Sequence, residues 1–418
     1  MATPCCLAAA GTGAEVEEGC NLAAVLRTYG EDYCRSHALP AAHRKVLWAI
    51  EHCRTAVLGG HLDRCDHCGH ERELWNSCND PHCPRCGALK RERWLQARRA
   101  ELLPGPYFHV VFTLDHGLNF LVGYNEKLMV DLLFAAATDT LQHFARERGG
   151  TIGITAVLHT WDQRLNRHLH LHCLVPGGML ALDGGRWIPT RPDFLFPVRA
   201  LSLVFREKFL DALAAADRNG RFRWPDPLPG QRLHDSDLPA LIRRLRRRRW
   251  VVYCKPPVAG PEHVIEYLSR YVYRVAIANS RITGHSDGKV TFTYKDRKQD
   301  SRTDTLTLPA DEFIRRFLLH VLPPGTRRIR HYGLLANRTK KETLARCRQL
   351  LGASPPANPT HRTAQDLMLR LTGQDINLCP SCRKGCLRTV QRIAPIPFSS
   401  SVPSFDPAHD RPEAIDTS

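Results

Sequence analysis

The sequence predicts an α+β fold, an antiparallel sheet backed by helices, and three observations carry that expectation. Residues 109–114 (HVVFTL), 154–161 and 169–175 have the apolar, β-branched and aromatic composition of strands. Only residues 162–167 link the second strand to the third, so these two pair as antiparallel neighbours. A long amphipathic helix, Glu126–Arg148, lies between the first two strands and gives the sheet something to pack against.

The other elements follow in chain order. Residues 1–20 read as a flexible leader. Residues 21–104 form a helical and zinc-binding domain, a helical segment followed by a small zinc-ribbon module. Its helical part runs to about Gly59, with Leu22, Val25, Leu26, Tyr29, Val46, Leu47 and Ile50 as apolar positions. A cysteine cluster spans Cys65–Cys86, and Leu89–Leu103 is a basic helix ended by Pro104. The sheet domain covers residues 105–280. Its last strand, Trp250–Lys255, is stopped by Pro256 and Pro257, and a helix Glu262–Ala276 begins beside Pro261, where a missing N–H costs nothing. Residues 281–352 extend that domain with strands Val290–Tyr294 and Thr305–Leu308 and helices Asp311–Val321 and Thr339–Leu351. From 353 to 418 the chain is rich in Pro, Ser and Thr and reads as a largely disordered tail carrying Cys379, Cys382 and Cys386. There are no internal repeats.

Composition narrows the function. The 418 residues include 59 Lys and Arg against 42 Asp and Glu, a formal charge of +17. The excess recurs along the chain, at Lys90–Arg93, Arg98–Arg99, Arg243–Arg249 and Arg327–Arg330, and so points to a long polyanion, nucleic acid first. Several of the 16 cysteines fall in C-x-x-C pairs, which marks metal ligands and not a secreted disulfide framework. No secretory signal is evident and no run approaches the ~18 apolar residues of a membrane helix. A soluble, cytoplasmic, nucleoid-associated protein is expected, with no membrane partner and with a homo-oligomer compatible.

Three motifs carry chemistry. In His168-Leu169-His170-Leu171-His172 a strand turns all three imidazoles to one face, while Leu169, Leu171 and Cys173 face a core. The pairs Cys65-x2-Cys68 and Cys83-x2-Cys86, fourteen residues apart, fit two knuckles around one structural Zn²⁺, with Cys78 and His82 as alternative members. Arg85, Lys90, Arg91 and Arg93 beside them suit a DNA grip. Cys379, Cys382 and Cys386 form a lesser set without an evident fourth partner, either structural thiols or a partial knuckle. On the helix after Pro261, Tyr267 and Tyr271 share a face, flanked by Arg270 and Arg274 at the same spacing. A phenol, with an unperturbed pKa near 10, needs an activated electrophile, and an ion held by histidines would activate a phosphodiester.

Together these stretches resemble the HUH-type tyrosine transposases, specifically the rolling-circle insertion-sequence group with an N-terminal zinc-binding domain. Residues 65–86, 108–119, 168–178, 267–281 and 328–338 carry the likeness, which spans roughly residues 60 to 350. The resemblance places the metal pair on His170 and His172 and the nucleophiles on Tyr267 and Tyr271. It implies single-stranded DNA at element ends and target as substrate, a catalytic Mg²⁺ or Mn²⁺, and a 5′-phosphotyrosine intermediate. It also implies a ferredoxin-like HUH nuclease domain with the histidine strand central in its sheet. His168 is a third-ligand candidate in the family position, with His159 and Glu266 as alternatives. Leu169 stands where the family often has proline, and Tyr273 adds a third phenol. The competing reading is a non-catalytic zinc-dependent DNA-binding regulator, which leaves the histidine row and the tyrosine pair without a role. A histidine-metal hydrolase of small molecules fits the diffuse positive charge least.

Overall fold

Alternating side-chain faces and a hierarchy of short turns shape the chain, seen here in a computed structural model. It describes residues 19–224, 237–255, 265–266, 269, 276–296, 302–354 and 363–396. Helices α1 (Leu22–Ser36) and α2 (Ala41–Glu51) lead into a hairpin of β1 (Gly60–Cys65) and β2 (Glu71–Trp75), then helix α3 (Ala88–Arg99). Next come β3 (Tyr107–Thr113), α4 (Asn119–Glu147), β4 (Gly150–Thr151), β5 (Gly153–Trp161), β6 (Arg167–Pro176), β7 (Gly178–Ala181) and β8 (Trp187–Pro189). Helices α5 (Val198–Arg218) and α6 (Asp237–Arg246) precede β9 (Val252–Lys255). A meander of β10 (Ile282–Ser286), β11 (Lys289–Asp296) and β12 (Arg302–Pro309) runs into α7 (Ala310–Leu318). The chain continues through β13 (Ile329–Gly333), α8 (Lys340–Leu350), α9 (Ala364–Thr372) and β14 (Leu387–Ile393).

The central sheet has the order β13-β5-β6-β3-β9, every neighbour antiparallel. The histidine strand β6 is therefore the middle of five. Period-two alternation explains both faces. Leu169, Leu171, Cys173 and Val175 of β6, Phe108, Val110 and Phe112 of β3, and Ile154, Ala156 and Leu158 of β5 are sealed under α4 and α5. A buried face of this size, at about 25 cal/mol per Å² of apolar surface, is the main force holding the sheet to its helices. Helix α4 begins earlier than the sequence pattern indicated and kinks at Asn125, whose side-chain amide bonds the Leu121 and Arg223 carbonyls and accepts from the Arg223 amide.

Two expectations about domains are corrected. The meander and α7 do not extend the central sheet; Val290, Phe292, Phe313 and Phe317 share a core with Leu22, Leu26 and Ile50 of the N-terminal helices. Each part exposes an apolar stripe that the other covers, and the Leu22 amide donates to the Asn279 side chain across the seam at 3.2 Å. The region read as a disordered tail contains α9 and β14, and β14 pairs with β1 along its length. Composition concealed this strand because most of its side chains are exposed, so it lacks the apolar period of a packed strand. Among the described residues no helix is long and apolar enough to cross a membrane.

Candidate functional site

The histidine face of the central sheet gathers imidazoles from three strands. His170 of β6 lies directly across from His159 of β5, while His172 lies between Val157 of β5 and Val111 of β3. The ring nitrogens of His159, His170 and His172 lie within 4.8 Å of one another. His159 and His172 are buried and His170 is half-buried. Hydrogen bonds orient two of these rings. His170 Nδ1 donates to its own strand's His168 carbonyl at 2.8 Å, which leaves the lone pair on Nε2. His172 Nδ1 meets His109 Nε2 at 2.7 Å; with His172 as donor its Nε2 also carries the lone pair, and His109 fixes the ring's orientation as it would need to be in a metal-bound histidine. Burial, then the neighbouring His172 and His170, holds His159 well below the ordinary imidazole range, in the neutral form a metal needs.

His168 faces the same side but belongs elsewhere: its Nδ1 lies 2.8 Å from His116 Nε2 at the sheet's exposed end. The structure groups His159, not His168, with His170 and His172, because His159 is the cross-strand neighbour of His170. Sequence spacing named His159 only as one alternative, and it did not point to His109 or His116 at all. Arg328, at the head of β13, is half-buried and is a charged neighbour of both His159 and Glu126 of α4. Burial pushes the Glu126 carboxyl up to about 7 against the opposing pull of Arg167 and Arg328. On the same face as the triad, β9 presents Tyr253, exposed, and Lys255 5.8 Å from the Tyr253 ring centroid. Tyr267, Tyr271, Arg270 and Arg274 lie outside the described residues. Nearby, Ile265 is buried against Leu174 and Tyr107, which share the histidine face.

The cysteines assemble differently from the spacing expectation. Cys65 and Cys68 do not meet Cys83 and Cys86. One group of four is Cys53, Cys78, Cys83 and Cys86; the other is Cys65, Cys68, Cys379 and Cys382. The hairpin explains the separation. Gly60 to Arg64 pair with Trp75 to Glu71, so Cys65 and Cys68 sit at its tip, roughly 15 Å from its base at strand spacing. At the base the Asn76 amide donates to the Gly59 carbonyl and the Arg54 amide to the Asn76 carbonyl, which returns Cys78 to the neighbourhood of Cys53. Four thiolates about 2.3 Å from one tetrahedral Zn²⁺ stand about 3.8 Å apart. Cys86 Sγ lies 3.6 Å from both Cys53 Sγ and Cys78 Sγ, so the first group fits a structural zinc.

Other expected site residues are placed as follows. His82 is buried beside Asp80, its Nδ1 2.9 Å from Oδ1, and is not in the first thiol group. Arg85 donates to the Cys53 carbonyl at 3.1 Å and so braces that group. Lys90 and Arg93 are exposed on α3 and Arg91 is half-buried. Cys386 is exposed and outside both groups.

Known proteins match across this architecture. A family model described as "Transposase zinc-binding domain" matches residues 25–114, and one described as "Putative transposase" matches residues 153–343. The Sinorhizobium fredii protein named "Putative transposase y4qJ" is 47% identical over 390 residues, 89% of this chain and 95% of that protein. The chain belongs to the IS91 family of transposases. A second member, the "Transposase for insertion sequence element IS801" of Pseudomonas savastanoi pv. phaseolicola, is 30% identical over 307 residues, 73% of each protein. A solved structure, "Conjugative Relaxase TrwC in complex with mutant OriT Dna", overlaps at a TM-score of 0.22 and 12% identity, over 58% of this chain and 73% of that one. That overlap is too loose to carry an inference. In this IS91-family chain the first thiol group lies within the matched zinc-binding domain, and the histidine triad lies within the second match.

Proposed function

We propose that this transposase nicks and rejoins single-stranded DNA at element ends through a 5′-phosphotyrosine intermediate, as rolling-circle transposition requires. The observation that carries the proposal is the convergence of His159, His170 and His172 on one face of the central sheet. Three donors leave coordination positions for a substrate oxygen, unlike a closed tetrad. A divalent ion held there supplies Lewis-acid stabilisation to the scissile phosphate. Of the two ions expected, an all-imidazole set favours Mn²⁺, since Mg²⁺ prefers oxygen ligands.

The chain's own residues then supply the reaction. The phenol of Tyr267 or Tyr271 gives up its proton as its oxygen attacks phosphorus; the bond from phosphorus to the 3′ oxygen breaks, and the leaving oxygen takes up a proton as a free 3′ hydroxyl, so the step is proton-neutral. The new phosphotyrosine retains the energy of the broken ester, so a second hydroxyl can reverse the step and join a different end. Supporting the assignment, Ile265, two positions before Tyr267, packs against Leu174 on the histidine face. Arg270 and Arg274 steady phosphate near the nucleophiles. Tyr253 and Lys255 offer the strand a ring for base stacking and a charge for its backbone. Lys90, Arg91 and Arg93 add a sequence-independent grip.

The test is cleavage of an end-labelled single-stranded oligonucleotide with and without divalent ion. Ion-dependent cleavage that survives in neither Tyr267→Phe/Tyr271→Phe nor His170→Ala/His172→Ala supports the proposal. A zinc-dependent regulator would bind the oligonucleotide and leave it intact.

A further inference from the structure

We propose that Cys65, Cys68, Cys379 and Cys382 bind a second structural Zn²⁺ that fastens the C-terminal strand β14 onto the N-terminal hairpin. The two sulfur pairs that cross between segments have the spacing of a tetrahedral tetrathiolate. Cys65 Sγ lies 3.7 Å from Cys382 Sγ, and Cys68 Sγ lies 3.7 Å from Cys379 Sγ. The expected edge is about 3.8 Å, whereas a disulfide would draw a pair to about 2.05 Å. All four are free thiols.

The two segments are built as matching knuckles. In the first, the Gly69 amide donates to the Cys65 carbonyl at 3.2 Å; in the second, the Arg383 amide donates to the Cys379 carbonyl at 3.0 Å. Gly69 has φ +72° and Arg383 φ +54°, both in the left-handed region. Glycine adopts it freely, but an arginine is held there only when its surroundings dictate the turn. The opening amides match as well: Cys65 donates to the His70 carbonyl at 2.8 Å and Cys379 to the Gly385 carbonyl at 2.9 Å. Main-chain amides also point at sulfur, from His67 to Cys65 Sγ at 3.4 Å and from Gly385 to Cys382 Sγ at 3.4 Å, the outer-shell support a thiolate ligand receives. Gly385 approaches so closely that a Cβ there would lie 2.5 Å from Cys65 Sγ.

Besides the backbone ladder of β14 with β1 and the Thr389 hydroxyl's bond to Asp63 at 2.8 Å, this junction has few side-chain contacts. Its apolar cluster consists of Cys65, Cys379 and Leu387 with Cys382 beside it, and Leu387 is the only buried residue of β14. Exposed polar contacts add the Cys386 amide to Asp66 at 2.8 Å and Arg388 to Asp66 at 3.2 Å, which are individually weak in water. A module with so small a core needs a metal or a comparable staple to stay folded. Here the ligands lie 317 and 311 residues apart in sequence, so the ion joins distant parts of the chain. Four thiolates close the coordination sphere, and the role is structural.

The decisive experiment is zinc content of the full chain by mass spectrometry, compared across variants. Cys379→Ser is expected to lose one equivalent relative to the native chain, Cys78→Ser to lose one, and the double variant to lose two. Cys386→Ser should retain the native content. Hydrogen exchange provides a second readout: in Cys379→Ser the amides of β14 should exchange faster while those of β6 keep native protection. Cys382→His, which keeps a ligand, should restore both zinc and protection. Native zinc content in Cys379→Ser, or loss of both equivalents from Cys78→Ser with β6 still protected, would overturn the proposal.

Discussion

The histidine triad and the thiol groups are opposite solutions to holding an ion. The triad hangs on β5 and β6, paired strands at the centre of a sheet with a large core behind them. Its geometry is set by pleat and register before any ion arrives, and three donors leave room for substrate. The thiol groups lie at the base and tip of a short hairpin, and each supplies four sulfurs; the first borders the N-terminal core, while the second has only a small apolar cluster around Leu387. In the first region the fold makes the site; in the second the site makes the fold.

Substitutions should separate the two. Cys83→Ser removes a ligand from the first tetrad and should destabilise the N-terminal region by on the order of 5 kcal/mol, since structural zinc contributes folding energy directly. Thermal melting followed by far-UV circular dichroism reads this, and an unchanged melting temperature would break the contrast. His170→Ala should instead leave melting within a few degrees while lowering cleavage by about 10³-fold, roughly 4 kcal/mol of transition-state stabilisation. Equal loss of fold and activity in both variants would erase the distinction.

Acid should act on a third class of histidine. His320 is fully buried; its Nε2 donates to the Leu165 carbonyl at 3.1 Å and its Nδ1 accepts from the Thr160 hydroxyl at 3.1 Å. Burial lowers its pKa to about 3, so the unfolded chain binds the proton first. Stability is therefore full above about pH 6.5 and is lost as pH falls toward 3, at about 1.4 kcal/mol per pH unit, roughly 2 kcal/mol by pH 5. Burial likewise holds His331 down at about 4, and there Arg98 donates to Nε2, so that ring too is neutral. Chemical denaturation at pH 7 and pH 5 measures the combined slope, and stability that rises on acidification would contradict it. The smallest effect concerns α3. Arg93→Ala should weaken DNA binding about equally for all sequences and reduce the salt slope by about one, as read by fluorescence anisotropy.

The same contrast explains what the sequence revealed. Strand β6 was legible because its instructions are local: alternate residues define both faces, and the short link to β5 fixes the neighbour. The helices α1, α2, α4, α7 and α8 were legible by the same kind of periodicity. Cysteine partners were not, because C-x-x-C specifies half of a site and is silent about the other half. Three such pairs, with the separate Cys53 and Cys78, had to be matched across the fold, and nearness in sequence joined Cys65 to Cys83 wrongly. The signal that Cys379-x2-Cys382 completes Cys65-x2-Cys68 was present, but a strand without an apolar period hid its context. His159 took its place beside His170 through strand register, which spacing alone does not fix.

The central claim, that Tyr267 or Tyr271 forms the covalent link to DNA, is tested most directly by mapping the adduct. Native protein incubated with a labelled single strand and Mn²⁺ would be digested with nuclease and protease, and the nucleotide-bearing peptide sequenced by mass spectrometry. The account predicts a 5′-linked nucleotide on Tyr267 or Tyr271. A nucleotide on any other residue, or cleaved DNA with no covalent peptide, would contradict it.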